Sequence, residues 1–340
     1  MQGNKVIAAA LIIVVIFLGG VVLQQAKPVL FPFFLAIFLS FILSPILDFL
    51  TRMKIPRAVS ILFILITSFF IIYLLGLLFY SSGKTFASEF PKYGQKISSI
   101  LTSIQEQLKL TFPKWETVNW FGQLDINKIG GFLLSSLGPF FSFIANLFLV
   151  FIFIVFILAG RGNIKAKVEK SFSKERSSQI SDVIQKIDTQ IQKYLAMKTI
   201  VSFVTGVLAT VVLMIFGVDF AIVFGFFTFI LNYIPNIGSL IATALPLTIA
   251  VFQFETLWPA FWILIILGSI QMIIGNFIEP RVMGQGLGLS TLVVLFFLFF
   301  WGWLWGIPGM ILAVPTAATI KIVCDNIPPL SFVGELMSKG

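Results

Sequence analysis

Six apolar runs recur along this chain, at 6–23, 29–47, 59–80, 138–159, 199–217 and 257–278. Each is close to the roughly 20 residues that a helix needs to cross the hydrocarbon core of a bilayer. Two longer apolar stretches, 219–253 and 290–322, are interrupted by Pro, Gly and Asn. Backbone N–H and C=O groups find no water inside lipid, so such runs must satisfy one another as helices. Charged residues make up only 11% of the chain, against about a quarter in soluble domains. The expected fold is therefore an all-α integral membrane protein with about eight helical membrane segments.

The first run follows Met1–Lys5 and could be read as a signal peptide. It is longer than a usual h-region and no convincing A-x-A site follows, so it reads as an uncleaved helix. Lys and Arg set the orientation. The short 48–58 loop carries Arg52, Lys54 and Arg57, and the 160–198 segment carries nine Lys/Arg, starting with Arg161, Lys165, Lys167 and Lys170. The 24–28 loop carries Lys27 alone. Positive-inside ordering then places the N-terminus in the cytoplasm and suits a protein of the plasma membrane. The 81–137 insertion falls outside; its six lysines weigh little, because long loops translocate largely regardless of charge.

This ordering divides the chain into N-terminal spans (1–80), an extracytoplasmic amphipathic insertion (81–137), a further span (138–159), a basic cytoplasmic segment (160–198), a core (199–322) and a cytoplasmic tail (323–340). Both insertions are expected to be helical. Phe86, Phe90, Tyr93, Ile97, Ile100, Ile104 and Leu108 recur at steps of three or four, as do Ile180, Ile184, Ile187, Ile191 and Tyr194. One apolar stripe per helix suits packing on the chain's own membrane domain, rest on lipid headgroups, or contact with another subunit.

Several function classes drop out. Histidine is absent and Cys324 is the only cysteine, so imidazole chemistry, an intrachain disulfide and a thiolate metal cluster are excluded. The chain has no G-x-x-x-x-G-K-[ST], G-x-S-x-G or H-E-x-x-H motif. Neither enzyme activity, nor a cofactor, nor a metal site is expected. The net charge of +9 follows membrane topology, so no nucleic-acid partner is expected.

The C-terminal half pairs a whole span with a broken stretch, twice. The first break is Asn232-Tyr233-Ile234-Pro235-Asn236-Ile237-Gly238; the second is Gly306-Ile307-Pro308-Gly309, with Pro315 beyond. Each broken stretch suits two short helices better than one span, so re-entrant hairpins of opposite orientation are expected, with kinked ordinary spans as the alternative. Pro235 frees a backbone carbonyl one turn earlier, and Gly238 permits a sharp bend. The Asn232 and Asn236 amides offer donors and acceptors without charge, suiting a hydroxylated solute or a partly dehydrated cation. The second motif is Asn276-Phe277-Ile278-Glu279-Pro280-Arg281, followed by glycines at 284, 286 and 288. Glu279 reads either as a proton carrier or as the partner of Arg281 in an ion pair pinning the helix end. Gln271 and Asn276 lie about 140° apart on an α-helix and need not share a face. Ser202, Gly206 and Thr210 form a row that admits a close helix neighbour. Trp301, Trp303 and Trp305 read as an interfacial anchor. Asp219 and Glu255 fall at the outer surface, and Asp325 and Glu335 in the tail.

The segments N-Y-I-P-N-I-G, N-F-I-E-P-R-V-M-G-Q-G-L-G-L-S and F-W-G-W-L-W-G-I-P-G-M-I-L-A-V-P resemble those of the autoinducer-2 exporter family. The resemblance is strong over about 199–322 and topological before it. It places Asn232, Pro235, Gly238, Glu279, Pro280, Arg281, Gly284, Gly309 and Pro315 at motif positions; Asn236, Gln271 and Asn276 join them as candidate pathway residues. Thr291 stands where many relatives carry proline. The resemblance implies a secondary transporter that exports a small polar solute, such as the quorum-sensing signal autoinducer-2, on an ion gradient. It also implies a homo-oligomer, a pentamer in the architecture proposed for the family. The alternatives are sodium/proton antiport, with a monovalent cation as partner, and a non-transporting scaffold held in lipid.

Overall fold

The computed structural model describes residues 18–111, 137–160, 168, 170–282 and 288–338. The start of the first apolar run, at 6–17, and the candidate Gly284 lie outside the described residues. Every extended element described is a helix. Helix α1 spans Lys27–Arg52, α2 Arg57–Thr111, α3 Leu137–Gly160 and α4 Lys174–Ile215. Among the described residues, five helices are long and apolar enough to cross a membrane, including α1, the first 30 residues of α2, and α4. Leu62, Phe63, Ile66, Phe69 and Phe70 of α2 are exposed, as expected where hydrocarbon is the solvent.

Two expected boundaries fall inside helices. Helix α2 continues unbroken from the third apolar run into the first insertion, and α4 joins the basic segment to the run at 199–217. A change in side-chain polarity leaves the i→i−4 ladder intact, and the stretch from Lys193 to Phe203 contains neither Gly nor Pro to end it. The second stripe packs on the chain's own core: Ile191 and Leu195 are buried there, with Ile187 and Tyr194 against them. Of the first stripe, Phe86 meets Phe220 edge-on at 5.8 Å; the other six side chains lie outside the described residues.

The two broken stretches are helical hairpins. The first consists of α5, Ala221–Leu231, and α6, Ile237–Gln253. Its base is closed by Gln253, whose Nε2 donates to the Gly217 carbonyl at 2.7 Å and whose Oε1 accepts from the Asp219 N–H at 2.9 Å. Helix α7, Trp258–Ile273, then passes through a π turn, Ile274–Ile278, into a last α turn, Glu279–Val282. The second hairpin pairs α8, Thr291–Trp305, with α9, Ile307–Asn326, around Gly306 at φ 75°. Its base is tied by the Ser290 N–H donating to Met337 O at 2.8 Å, beyond the short α10, Ser331–Leu336. Asp325 belongs to α9 rather than to a tail and pairs with Lys321.

The hairpins differ in reach. The 11 residues of α5 rise about 16 Å, short of a hydrocarbon core of about 30 Å, whereas the 20 residues of α9 rise about 30 Å. Helix α8 starts cleanly without a proline at Thr291, because Ser290 Oγ accepts the Val293 N–H at 3.2 Å and so caps it.

The three tryptophans do not act together. Trp301 and Trp305 are buried and only Trp303 is exposed. On a helix, residues four apart lie about 40° apart and those two apart about 200°, so 301 and 305 share a face that 303 cannot. Trp301 and Trp305 pack against Phe34 of α1, with centroids 5.5 and 5.6 Å away. Trp305 Nε1 donates to Leu23 O at 3.2 Å, and Lys27 Nζ donates to Trp305 O at 2.9 Å, where a cation complements a helix C-terminus. This core also takes in Leu231, Ile234 and Ala242 of the first hairpin and Leu298, Leu304 and Leu312 of the second.

Candidate solute cavity

Helix α4 carries Ser202, Gly206 and Thr210 against α5. A Cβ at Gly206 would lie 2.7 Å from the Gly225 carbonyl oxygen, so the two backbones approach as only glycines allow. This docking brings the hairpin tip beside Ser202, whose Oγ accepts from Asn232 Nδ2 at 3.1 Å. Tyr233 lies 2.7 Å from Thr199 Oγ1. The Thr199 hydroxyl gives its one hydrogen to Leu195 O at 2.7 Å, so Tyr233 is the donor.

The tip itself is a γ-turn. Asn236 has φ 58° and ψ −55°, and the Ile237 N–H donates to Pro235 O at 2.6 Å. A non-glycine residue in this region is held only where its surroundings over-determine it. Here Gly238 supplies the constraint: a Cβ on it would stand 1.8 Å from the Leu231 carbonyl oxygen. No other residue lets the start of α6 lie across the end of α5.

A cavity of about 280 Å³ opens at this tip. The turn contributes Asn232, Tyr233, Pro235 and Asn236, and α6 contributes Ser239. Helix α4 contributes Tyr194 and Lys198; α7 with its π turn contributes Gln271, Met272, Gly275, Asn276 and Glu279; α9 contributes Val314. Gln271 and Asn276 meet there although α-helical spacing separates them. In a π turn the bond runs from i to i+5, so a step of five closes a turn as a step of four does in an α-helix. The π turn at Ile274–Ile278 thereby rotates Asn276 and Glu279 into line with Gln271.

Glu279 does not pair with Arg281. Its Oε1 lies 2.5 Å from Nζ of Lys198, 81 residues earlier, with the lysine side chain 8% and the glutamate 22% exposed. Arg281 and Pro280 are exposed on the last turn, outside the cavity, and Arg281 forms no ion pair among the described residues. Residues two apart on a helix lie about 200° apart, so once Glu279 faces α4, Arg281 falls on the far side. Gly309 and Pro315 also lie away from the cavity. A Cβ at 309 would stand 2.1 Å from the Trp301 carbonyl oxygen, which makes Gly309 the crossing point of the second hairpin; Pro315 is buried within α9. Of the candidates, then, Asn232, Pro235, Asn236, Gln271, Asn276 and Glu279 gather at the cavity. Gly238 shapes it from behind.

Lys198, Tyr194, Thr199 and Ser239 carry no motif. A signal for the first two exists, however. Extending the Ser202–Gly206–Thr210 row backwards by fours reaches Lys198 and then Tyr194, on the face already assigned to a close neighbour.

A helical membrane protein in which the tip of a hairpin meets an irregular helix at a polar cavity has the build of a membrane transporter. A family model described as AI-2E family transporter matches residues 11–328, and the chain belongs to that family. It is 36% identical over 328 residues to a putative transport protein of Haemophilus influenzae, covering 93% of this chain and 91% of the relative. It is 32% identical over 318 residues to a putative transport protein of Borreliella burgdorferi, covering 93% and 86%. It is 31% identical over 342 residues to the AI-2 transport protein TqsA of Escherichia coli, covering 99% and 96%.

Proposed function

We propose that this transporter exports a small polar organic solute, such as autoinducer-2, on an ion gradient. The observation that carries the reading is the convergence of the Asn232, Asn236, Gln271 and Asn276 amides with the Tyr233 and Ser239 hydroxyls around one cavity. Amides and hydroxyls both donate and accept, which matches a solute rich in hydroxyls. A cation site wants free carboxylates instead, and the one carboxylate among the described residues lining this cavity is held by Lys198. The similarity to a relative named for AI-2 transport supports the choice of solute. The sequence contains no nucleotide-binding motif, so uphill export draws on an ion gradient. The cavity lies midway along α4, at Tyr194 and Lys198, where the basic segment meets the apolar run at 199–217, so positive-inside ordering opens it to the cytoplasm, where an exported solute is loaded.

Everted membrane vesicles from cells expressing the protein test this. They should accumulate autoinducer-2 above vesicles lacking the protein, in proportion to an imposed pH gradient. Asn232→Ala and Gln271→Ala should remove the difference without lowering protein level. Equal accumulation in vesicles with and without the protein rules the reading out.

A further inference from the structure

From the Lys198–Glu279 contact we infer that the cavity is selective for uncharged hydroxylated solutes and that this pair sets the selectivity; the inference rests on the transport reading above. Lys198 and Glu279 are the charged residues among those lining the cavity. They touch at 2.5 Å, so the described lining carries one positive and one negative charge in direct contact, with no net charge. An anion entering this space gains Lys198 only by breaking its bond to Glu279, which strands a carboxylate in a partly desolvated site. A cation faces the mirror problem. A neutral hydroxyl faces neither. It can accept from a remaining Lys198 N–H and donate to the free Glu279 Oε2 at once, because a hydroxyl is both donor and acceptor. The same logic lets it use the amides of Gln271 and Asn276, which make no hydrogen bond to a described residue. The pair therefore bridges α4 to the end of α7 and discriminates against charge in one device.

Three probes of one size separate the possibilities: a labelled five-carbon polyol, the aldonate with the same carbon chain, and the corresponding amino alcohol. In proteoliposomes, the wild-type protein should move the polyol faster than either ion. Glu279→Gln leaves Lys198 uncompensated and should shift the aldonate-to-polyol ratio upward by about tenfold or more; Lys198→Gln should shift the amino-alcohol ratio likewise. The double variant Lys198→Gln/Glu279→Gln is neutral again and should return to polyol preference. It also guards against misfolding of the single variants. Single-variant ratios within about twofold of wild type, with polyol transport intact, overturn the assignment alone. A folded double variant that moves no polyol also overturns it, since a neutral cavity then does not suffice. Wild-type protein that moves none of the three, in either direction and with any gradient, overturns the transport reading for this cavity, and the assignment with it.

Discussion

Gly225 of α5 lies so close to α4 that a Cβ there would stand 1.7 Å from Thr210 Oγ1 and 2.8 Å from the Gly206 carbonyl oxygen. The first hairpin is thus seated by missing atoms rather than by added ones, and its seating positions Asn232 beside Ser202. Gly225→Ala should destabilise the purified protein by the roughly 1–3 kcal/mol typical of overpacking, read as a lower unfolding temperature in detergent. Adding Thr210→Ala removes the nearer clash and should recover part of the loss; the Gly206 carbonyl accounts for the rest. A Gly225→Ala protein that unfolds at the wild-type temperature contradicts this seating.

The tryptophans give a second test, because their burial separates core from interface. Trp305→Phe forfeits the bond to Leu23 O and some ring contact, about 1 kcal/mol or more, while Trp305→Ala should cost about 3–5 kcal/mol. Trp303→Phe keeps an aromatic on an exposed face and should leave the unfolding temperature unchanged. Equal sensitivity at 303 and 305 would restore the reading of all three as one interfacial anchor.

The sequence made the spans and the hairpins legible because their signals are local. Twenty apolar residues mean a helix in lipid, and Asn232, Pro235 and Gly238 break that helix within seven residues. What stayed hidden depends on partners distant along the chain or on helix periodicity. Lys198 looks like one base among the many of the 160–198 segment until folding sets it against Glu279. The continuity of α2 and α4 was hidden because a drop in hydropathy resembles a loop although it breaks no hydrogen bond. The π turn has no local signature, so α-helical spacing sets Gln271 and Asn276 apart, and nothing near Glu279 in sequence names its partner Lys198.

Accessibility at the hairpin tip provides the third prediction. Cys324 is buried, and Cys324→Ser gives a background without thiols. In it, Ser239→Cys lines the cavity and should react with a membrane-impermeant maleimide in inside-out vesicles and not in right-side-out ones. Ala250→Cys, at a position fully buried near the hairpin base, should be inert in both. Labelling of Ser239→Cys from the outer side only would reverse the orientation derived from the Lys and Arg distribution.

The last prediction concerns the helical register of α7. A π turn is equivalent to one residue inserted into an α-helix. Removing one residue from it should therefore restore α geometry while keeping the angular relation among Gln271, Asn276 and Glu279. Gly275 is the residue to delete, since even a Cβ there would meet nothing within 4 Å. Inserting an alanine after Ile278 instead turns Glu279 by a further ~100° about the helix axis and carries its carboxylate away from Lys198. The readout is the cost of Lys198→Met in each background. Breaking a buried pair by removing one partner costs about 3–5 kcal/mol; with Glu279 22% exposed, the lower end applies. Lys198→Met should show that cost in the wild-type protein and in the Gly275 deletion. In the insertion variant it should show little, because the pair is already gone and the parent already destabilised. If the deletion abolishes the Lys198 effect as fully as the insertion does, the π turn is not a one-residue register shift, and the alignment of Gln271, Asn276 and Glu279 has another origin.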